Sequence, residues 1–245
     1  MAPRSDDPER ISKGRSKVPP QDVFRVDMHV HSSYSSDGLI KPAELVKEAA
    51  RKGLNGMALT DHNSIGGLDE AKETARMIPG FIFIPGIEIS TKKGHILAFG
   101  VKDAPRRRMP VDETVEWIIA AGGLPVAGHP YRSFTGIGER RVRGAKFAAV
   151  EVLNARSPRY KNEKARKLCE ELGLGMTAGS DCHRLRELGR AYTIAENVTG
   201  GADGLLEMIR KRRTRAGGRS ATLPEVASHS SKIGKDLLKR RWKRI

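Results

Sequence analysis

The chain has 245 residues, a length that fits one large α/β domain with a substantial core and requires no second domain. It has only two cysteines, Cys169 and Cys182, which excludes a disulfide framework or a thiolate zinc site and favours a reducing, cytoplasmic compartment. The formal net charge is +16, and the absence of any apolar run of about 18 residues excludes a predicted membrane-spanning helix.

The first segment, residues 1–21, is polar, carries both charges and shows no hydrophobic period, so we predict a mobile leader. After it, short apolar runs rich in Val, Ile and Phe recur along the chain. In chain order these runs are VFRVDMHV, GMALT, FIFIPGIEI, HILAFGV, LPVAG, AAVEVL and GMTAG. Several of them are nearly continuous apolar segments, which is typical of strands that are buried on both faces of a parallel sheet.

Helical patterns separate several of these runs. The stretch KPAELVKEAARKG places Pro42 in a first helical turn, apolar residues on one face, and Gly53 as a stop. The stretch YKNEKARKLCEELG has apolar residues at helical spacing and ends at Gly173. Alternating strands and helices of this kind predict an α/β fold over residues 22–209, with a parallel sheet that closes or nearly closes into a barrel.

The last segment, residues 210–245, holds 13 Lys and Arg residues against two acidic residues and so carries most of the net charge. Its end, KIGKDLLKRRWKRI, predicts an amphipathic helix with a basic polar face. Such a segment suits a nucleic-acid backbone, an anionic membrane surface or the barrel itself, and a solubilising tail is the plainer alternative. Clustered charge of this kind favours only non-specific, salt-sensitive binding of nucleic acid.

Ionisable residues gather where the predicted strands end, and six of the seven histidines are among them. The full set is His29, His31, Asp37, His62, Glu88, His95, His129, Asp181 and His183. Because the ends of barrel strands meet on one face, we expect these residues to be neighbours in space. Burying so many ionisable groups in one cleft is costly unless cations compensate them, which indicates a metal site.

Five sequence motifs carry a resemblance to a known family. The motifs are DMHVHSSYSSDG, ALTDHNS, PGIEIST with GHILAFG, AGHP and GSDCH. On these motifs, and in this order, the chain resembles the PHP (polymerase and histidinol phosphatase) family over approximately residues 24–196. The resemblance implies a distorted (β/α)7 barrel whose cleft holds two or three divalent metal ions. One departure is Asn63, where the family often has Asp; it lies outside the implied ligands and bears on substrate preference.

The resemblance also implies a role for each of the nine positions. One metal would be surrounded by His29, His31, Glu88 and Asp181. A second would be held by Glu88, His95 and His129, with Glu88 as the bridge, and a third by Asp37, His62 and His183. Glu88 and Asp181 are therefore the candidate catalytic residues. Imidazole and carboxylate ligands without thiolate suit Zn, Mn or Fe.

Further polar residues adjoin the candidate ligands. Arg132 and Arg156 follow strand ends and are candidate ligands of a substrate phosphate, with solvated loop arginines as the alternative. Asp27 and Asp61 stand next to ligand histidines and are predicted to accept imidazole N–H groups, unless Asp61 only caps the following turn. Cys182 lies between the candidate ligands Asp181 and His183, so on an extended backbone its side chain points away from them. We therefore expect it to be buried in the core.

Two metals about 3.5 to 4 Å apart can activate a water molecule for in-line attack on phosphorus. The implied function is a metal-dependent phosphoesterase that acts on a small phosphorylated metabolite or a nucleotide. The first alternative is a nuclease that trims RNA or DNA ends, as the similarity to PHP domains of some DNA polymerases suggests. The second is a non-catalytic RNA-binding subunit, like the similar barrel of ribonuclease P that lacks the metal residues, and the retained ligands argue against it.

Overall fold

A computed structural model describes residues 23–226, so the predicted leader and the predicted helix KIGKDLLKRRWKRI lie outside the described residues. Its strands are β1 (Val23–Val30), β2 (Gly56–Leu59), β3 (Ile82–Ser90), β4 (His95–Phe99), β5 (Leu124–Ala127), β6 (Ala149–Asn154), β7 (Gly175–Gly179), β8 (Ala191–Glu196) and β9 (Thr214–Gly218). Its helices are α1 (Pro42–Arg51), α2 (Leu68–Arg76), α3 (Val111–Ala120), α4 (Glu139–Gly144), α5 (Arg159–Leu172) and α6 (Gly201–Arg210), with a short 3-10 helix at Leu185–Glu187.

The first eight of these strands close into a barrel. Neighbouring strands pair in chain order from β1 to β8, and β1 pairs with β8 to complete the ring. Strands β1 to β3 and β5 to β7 pair in parallel, and all seven predicted apolar runs fall on β1 to β7. The predicted α/β barrel is therefore confirmed.

Strand β4 runs antiparallel to both of its neighbours, β3 and β5. The reason is the short TKKG connection after β3, because a parallel crossover needs a dozen or more residues. Since β4 starts where β3 ends, its first residue, His95, pairs with Ser90 at the same barrel face as the ends of the parallel strands. The reversal therefore brings His95 to the candidate site.

Strands β8 and β9 do not coincide with any predicted run. In β8, buried residues alternate with half-buried ones, so it lacks the continuous apolar run of the parallel strands. In β9 the sequence TRAGG is short and largely exposed or half-buried, yet it pairs antiparallel with β8 outside the ring. The sheet therefore reaches into the segment 210–245 that the charge pattern marks as a tail.

The two predicted helices form as their sequences indicate. Helix α1 begins at Pro42, and its buried residues Leu45 and Val46 pack in one cluster with Val30 of β1. Helix α5 ends at Leu172 and is capped by Gly173, whose φ of 59° lies in the left-handed region that glycine adopts without strain. Over residues 23–226, every helix is too short or too polar to cross a membrane.

Strand β7 must approach β1 closely, and Gly179 permits this. A Cβ atom at Gly179 would lie 2.3 Å from the Cβ of His29 and 2.5 Å from its backbone nitrogen. Those atoms belong to a fully buried residue of the barrel wall and have no room to withdraw.

We expect Gly179→Ala to lower the free energy of unfolding by about 1 to 3 kcal/mol, because the added methyl group overpacks the β1–β7 contact. Urea denaturation measures the change. The matched control is Gly144→Ala, where a Cβ atom would meet no heavy atom within 4 Å. Equal stability of the two variants would contradict the close approach.

Candidate metal centre

The predicted ligands converge at one end of the barrel. Among residues 23–226, four groups of side chains have ligand atoms within 4.8 Å of one another. These groups are His31, Asp37, His62 and His183; His29, Glu88 and His129; His29, His31 and Asp181; and His62, Glu88 and His95. Every one of the nine sequence-predicted positions occurs in at least one group, so the strand-end argument places them correctly as neighbours.

Glu88 lies at the centre of this cluster. Its neighbours in β3, Ile87 and Ile89, pack in a core cluster with residues of α3 and α5. Because side chains alternate along a strand, Glu88 points to the opposite face, into the barrel. Its side chain is 1% exposed, so its charge must be compensated by groups of the protein or by bound cations.

Five imidazoles surround the Glu88 carboxylate, divided between its two oxygens. Oε1 lies 2.8 Å from Nδ1 of His95 and 3.0 Å from Nε2 of His129. Oε2 lies 3.0 Å from Nδ1 of His62 and 3.3 Å from Nε2 of both His29 and His31. The two oxygens therefore face two different sets of ligand atoms.

Positive charge keeps the buried carboxylates ionised. Burial on its own raises the pKa of Glu88, but contacts with the surrounding histidines outweigh it and hold the pKa well below its ordinary value. The pKa of Asp181 is likewise raised by burial but lowered further by Arg132, His29 and Arg156, so the net shift is strongly downward. For His31, burial lowers the pKa, but hydrogen bonds to Asp181 and Glu88 raise it to about 9.

The group nearest solvent contains Asp37, His62 and His183. One carboxylate oxygen of Asp37 lies 2.8 Å from Nε2 of His183 and 3.8 Å from Nε2 of His62. The Asp37 side chain is 40% exposed, in contrast to Glu88. Burial lowers the pKa of His62 to about 4, which keeps its imidazole in the neutral form that binds a metal.

Two candidate ligands have an unusual backbone conformation. His129 has a φ of 27° and Asp181 a φ of 53°, in the region where non-glycine residues are uncommon. Hydrogen bonds hold both: the His129 N–H donates to Glu151 at 2.8 Å, and the Asp181 N–H donates to the His29 carbonyl at 2.7 Å. Such supported outliers cluster at functional sites, which agrees with the position of both residues directly after strand ends.

Sequence reasoning missed Glu151, a buried carboxylate of β6. Its Oε1 lies 2.9 Å from Nδ1 of His29, while its Oε2 accepts the His129 N–H. The Asn154 amide donates to both Glu151 oxygens, and at 3.2 Å to Asp181. Glu151 thus orients His29 from behind, the position from which a carboxylate fixes the tautomer of a ligand histidine. The signal was a lone charged residue inside the apolar run AAVEVL.

The expectation that Asp27 and Asp61 accept imidazole N–H groups is wrong. Asp27 accepts the backbone N–H groups of His29, Ser180 and Gly189 at 2.8 to 3.2 Å. Asp61 accepts both the backbone N–H and the hydroxyl of Ser32 at 2.6 Å. Both carboxylates therefore hold the backbone of the loops that carry the ligands.

The two candidate phosphate arginines face the cluster and not solvent. The guanidinium of Arg132 donates to Asp181 and its side chain is 16% exposed. Nη1 of Arg156 lies 3.5 Å from Asp181 and 2.7 Å from Nδ1 of His183, and this side chain is 13% exposed. Both cations therefore flank the same carboxylate at the edge of the cleft.

Two neighbours of the candidate ligands have structural contacts. Cys182 is fully buried and packs in a cluster with Val30, as predicted. Asn63, at the position of the family departure, makes two reciprocal hydrogen bonds with Ser90: its amide donates to the hydroxyl, and its carbonyl accepts the backbone N–H. Asn63 thus fastens the loop after β2 to the end of β3.

The donor atoms fit divalent metal ions. Nδ1 of His62 is buried 3.0 Å from Glu88 yet has no hydrogen-bond partner among the described residues. Nε2 of His29 and Nε2 of His31 lie 3.1 Å apart and point at each other. Nitrogen and oxygen lone pairs that converge in this way suit cations that prefer imidazole and carboxylate.

We predict that Glu151→Gln lowers affinity for a divalent metal about 10- to 100-fold, because an amide cannot accept at both oxygen positions and so orients His29 and His129 poorly. Calorimetric titration with Mn²⁺ measures the change. Glu170→Gln, at an exposed position of α5, is the control. Unchanged affinity in the Glu151 variant would show that this carboxylate does not position the ligands.

Comparison with known proteins finds two matching family models and related sequences. The family model described as PHP domain matches residues 27–162, and one described as PHP-associated matches residues 159–214. An uncharacterised protein from Methanocaldococcus jannaschii is 34% identical over 143 residues, which cover 54% of this chain and 82% of that protein. A 5'-3' exoribonuclease from Haemophilus influenzae is 46% identical over 67 residues, which cover 27% of this chain and only 24% of the exoribonuclease.

A solved structure has the same fold. It is the crystal structure of a two-domain protein from Bacteroides vulgatus that contains a predicted PHP-like metal-dependent phosphoesterase. The match has a TM-score of 0.69 at 23% identity and covers 81% of this chain and 66% of that chain. With a domain match over more than half of its residues and this barrel around the clustered histidines and carboxylates, the chain belongs to the PHP domain family.

Proposed function

We propose that this protein is a metal-dependent phosphoesterase that hydrolyses a phosphate ester of a small metabolite or a nucleotide. The observation that supports this most directly is the position of Glu88. One of its oxygens faces His95 and His129, and the other faces His29 and His31, all within 3.3 Å. A carboxylate in this position suits a bridge between two cations, the arrangement used for in-line attack on phosphorus.

The ligand assignment is part of the proposal. His29, His31, Glu88 and Asp181 would hold one ion; Glu88, His95 and His129 a second; and Asp37, His62 and His183 a third. Zn, Mn and Fe all suit this set of nitrogen and oxygen donors. Bound ions of this kind lower the pKa of a water molecule to about 7 and polarise phosphoryl oxygens.

The protein's own cations would orient the substrate. A phosphate in the metal-loaded cleft would also lie near the carboxylates of Glu88 and Asp181, so it needs positive charge beyond that of the metal ions. Arg132 and Arg156 supply this charge at the Asp181 side of the cleft, where both guanidinium groups already lie. Guanidinium groups bind phosphate oxygens bidentately, so they would fix the direction of the phosphorus atom.

The other two functions differ in what they require of the site. A non-catalytic RNA-binding subunit needs none of the nine ionisable side chains to converge, so their close grouping argues against it. A nuclease would use the same centre, and the similarity to an exoribonuclease over part of the chain supports it as the alternative. Contact of nucleic acid with the basic tail stays a prediction, because residues 227–245 lie outside the described residues.

The first test is metal content. We expect two or three divalent ions per chain after incubation with Mn²⁺ or Zn²⁺ and dialysis, because the nine donors form overlapping groups at one barrel face. Elemental analysis measures the ratio. An Asp37→Asn/His183→Gln variant should bind one ion fewer, and less than one equivalent in the wild-type protein would refute the site.

The second test is Glu88→Gln. We expect kcat for phosphoester hydrolysis to fall by about three orders of magnitude or more while the melting temperature is kept, since a neutral amide cannot bridge two cations. A screen of sugar phosphates, nucleoside mono- and bisphosphates and short oligonucleotides supplies the substrate. Glu170→Gln is again the control, and retention of more than about a tenth of wild-type kcat would show that Glu88 is peripheral.

A further inference from the structure

A cavity of about 540 Å³ lies outside the ligand cluster, and its lining is strongly basic. Lys92, Lys93, Arg140 and Arg141 contribute to it, and Asp112 is the one carboxylate among the lining residues. The volume is within the range of pockets that hold small ligands. An opening with four cations and one anion attracts negatively charged groups.

The β3–β4 hairpin contributes to both this basic pocket and the candidate metal centre. Lys93 stands two residues before His95, and two residues of extended chain span at most about 7 Å. The hairpin is also fastened to the loop after β5, because the His95 N–H donates to the carbonyl of Thr135 at 3.0 Å. That loop begins near Arg132 and leads into α4, which carries Arg140 and Arg141. The pocket walls are thus continuous with the loops that supply His95 and Arg132.

The cations of this basic pocket lack the carboxylate partners that other arginines have. Arg143, in the same helix, pairs with Glu139 and Glu171, and Arg51 pairs with Glu48. Within residues 23–226 no ion pair involves any of the four basic residues that line the pocket. Unpaired cations gathered around a concave surface leave a local positive potential that an anionic ligand can neutralise.

We propose that the basic pocket is a subsite for a second, non-reacting phosphate group of the substrate. The proposal rests on the proposed function, in which the reacting phosphate occupies the metal centre next to Arg132 and Arg156. It narrows the substrate class to molecules with at least two phosphate groups. Both a small bisphosphorylated molecule and the phosphorylated end of a nucleic acid have this chemistry.

A charge-removal experiment tests the subsite. The variant is Lys93→Gln/Arg140→Gln, since both side chains are exposed and line the pocket. The control is Lys47→Gln/Lys72→Gln, which removes the same charge from exposed positions of α1 and α2. Three substrates are compared with the metal-loaded enzyme: p-nitrophenyl phosphate, a nucleoside 3',5'-bisphosphate and a 5'-phosphorylated trinucleotide.

We expect the pocket variant to raise KM about tenfold or more for a substrate with a second phosphate, because the neutral side chains cannot form charge-assisted hydrogen bonds with that group. The kcat for that substrate should stay within about twofold of the wild-type value. The reason is that the subsite would bind the second phosphate equally in the ground state and in the transition state. A KM increase for the trinucleotide alone supports a nucleic-acid end, and an increase for the bisphosphate supports a small molecule. An equal KM increase for p-nitrophenyl phosphate, or no increase for any substrate, would overturn the subsite.

A binding measurement separates this proposal from the proposed function. If the wild-type protein hydrolyses no phosphoester, the function fails, but fluorescence anisotropy with a 3'-labelled, 5'-phosphorylated trinucleotide still tests the pocket. Removal of the two cations should weaken binding and reduce the slope of log affinity against log salt by about 0.7 for each phosphate that the variant no longer neutralises. If the pocket variant binds the trinucleotide with the affinity and the salt dependence of the wild-type protein, the cations that bind it lie elsewhere. That result would refute the subsite.

Discussion

A carboxylate buried inside a barrel needs hydrogen bonds or positive charge around it, and Glu88 imposes this condition on the rest of the site. The five imidazoles around it come from the end of β1, the loop after β2, the start of β4 and the loop after β5. For all of them to reach one carboxylate, these elements must meet at a common level of the barrel. The antiparallel course of β4 serves this requirement, since a parallel strand beginning at His95 would start at the opposite face.

A second set of carboxylates acts on the backbone instead of on cations. Strands β7 and β8 share one backbone pair, Gly179 with Tyr192, and the Thr193 hydroxyl of β8 adds hydrogen bonds to Ala178 of β7. Asp27 accepts N–H groups from Ser180 and Gly189, so one carboxylate ties together the residues on both sides of the seam between these two strands. Burial raises the pKa of Asp27 to about 6 even though these hydrogen bonds lower it. The residues after β7 include Asp181, so the seam must hold for that candidate ligand to stay in place.

The sequence predicts the parts of this protein that depend on local patterns. Strands β1 to β7 are visible as apolar runs, and the nine candidate ligands are visible as polar residues at the ends of those runs. Strand β8 was missed because its alternating pattern carries a weaker signal, and β9 because glycine and arginine are poor indicators of a strand. The contacts of Asp27 and Asp61 depend on which loop lies opposite each carboxylate, and no pattern within a single segment encodes that.

The basic side chains of the protein lie in three different environments, which differ in the acidic groups nearby. Some arginines, such as Arg51, are paired with glutamates on the helix surface and leave little net field. Arg132 and Arg156 are held inside the cleft, and both lie beside the carboxylate of Asp181. The cations of the basic pocket, of which Lys92, Lys93 and Arg140 are exposed, form no ion pair among residues 23–226. The net charge of +16 therefore does not locate an anion site. The positions of cations without a carboxylate partner are the better guide to where an anionic ligand binds.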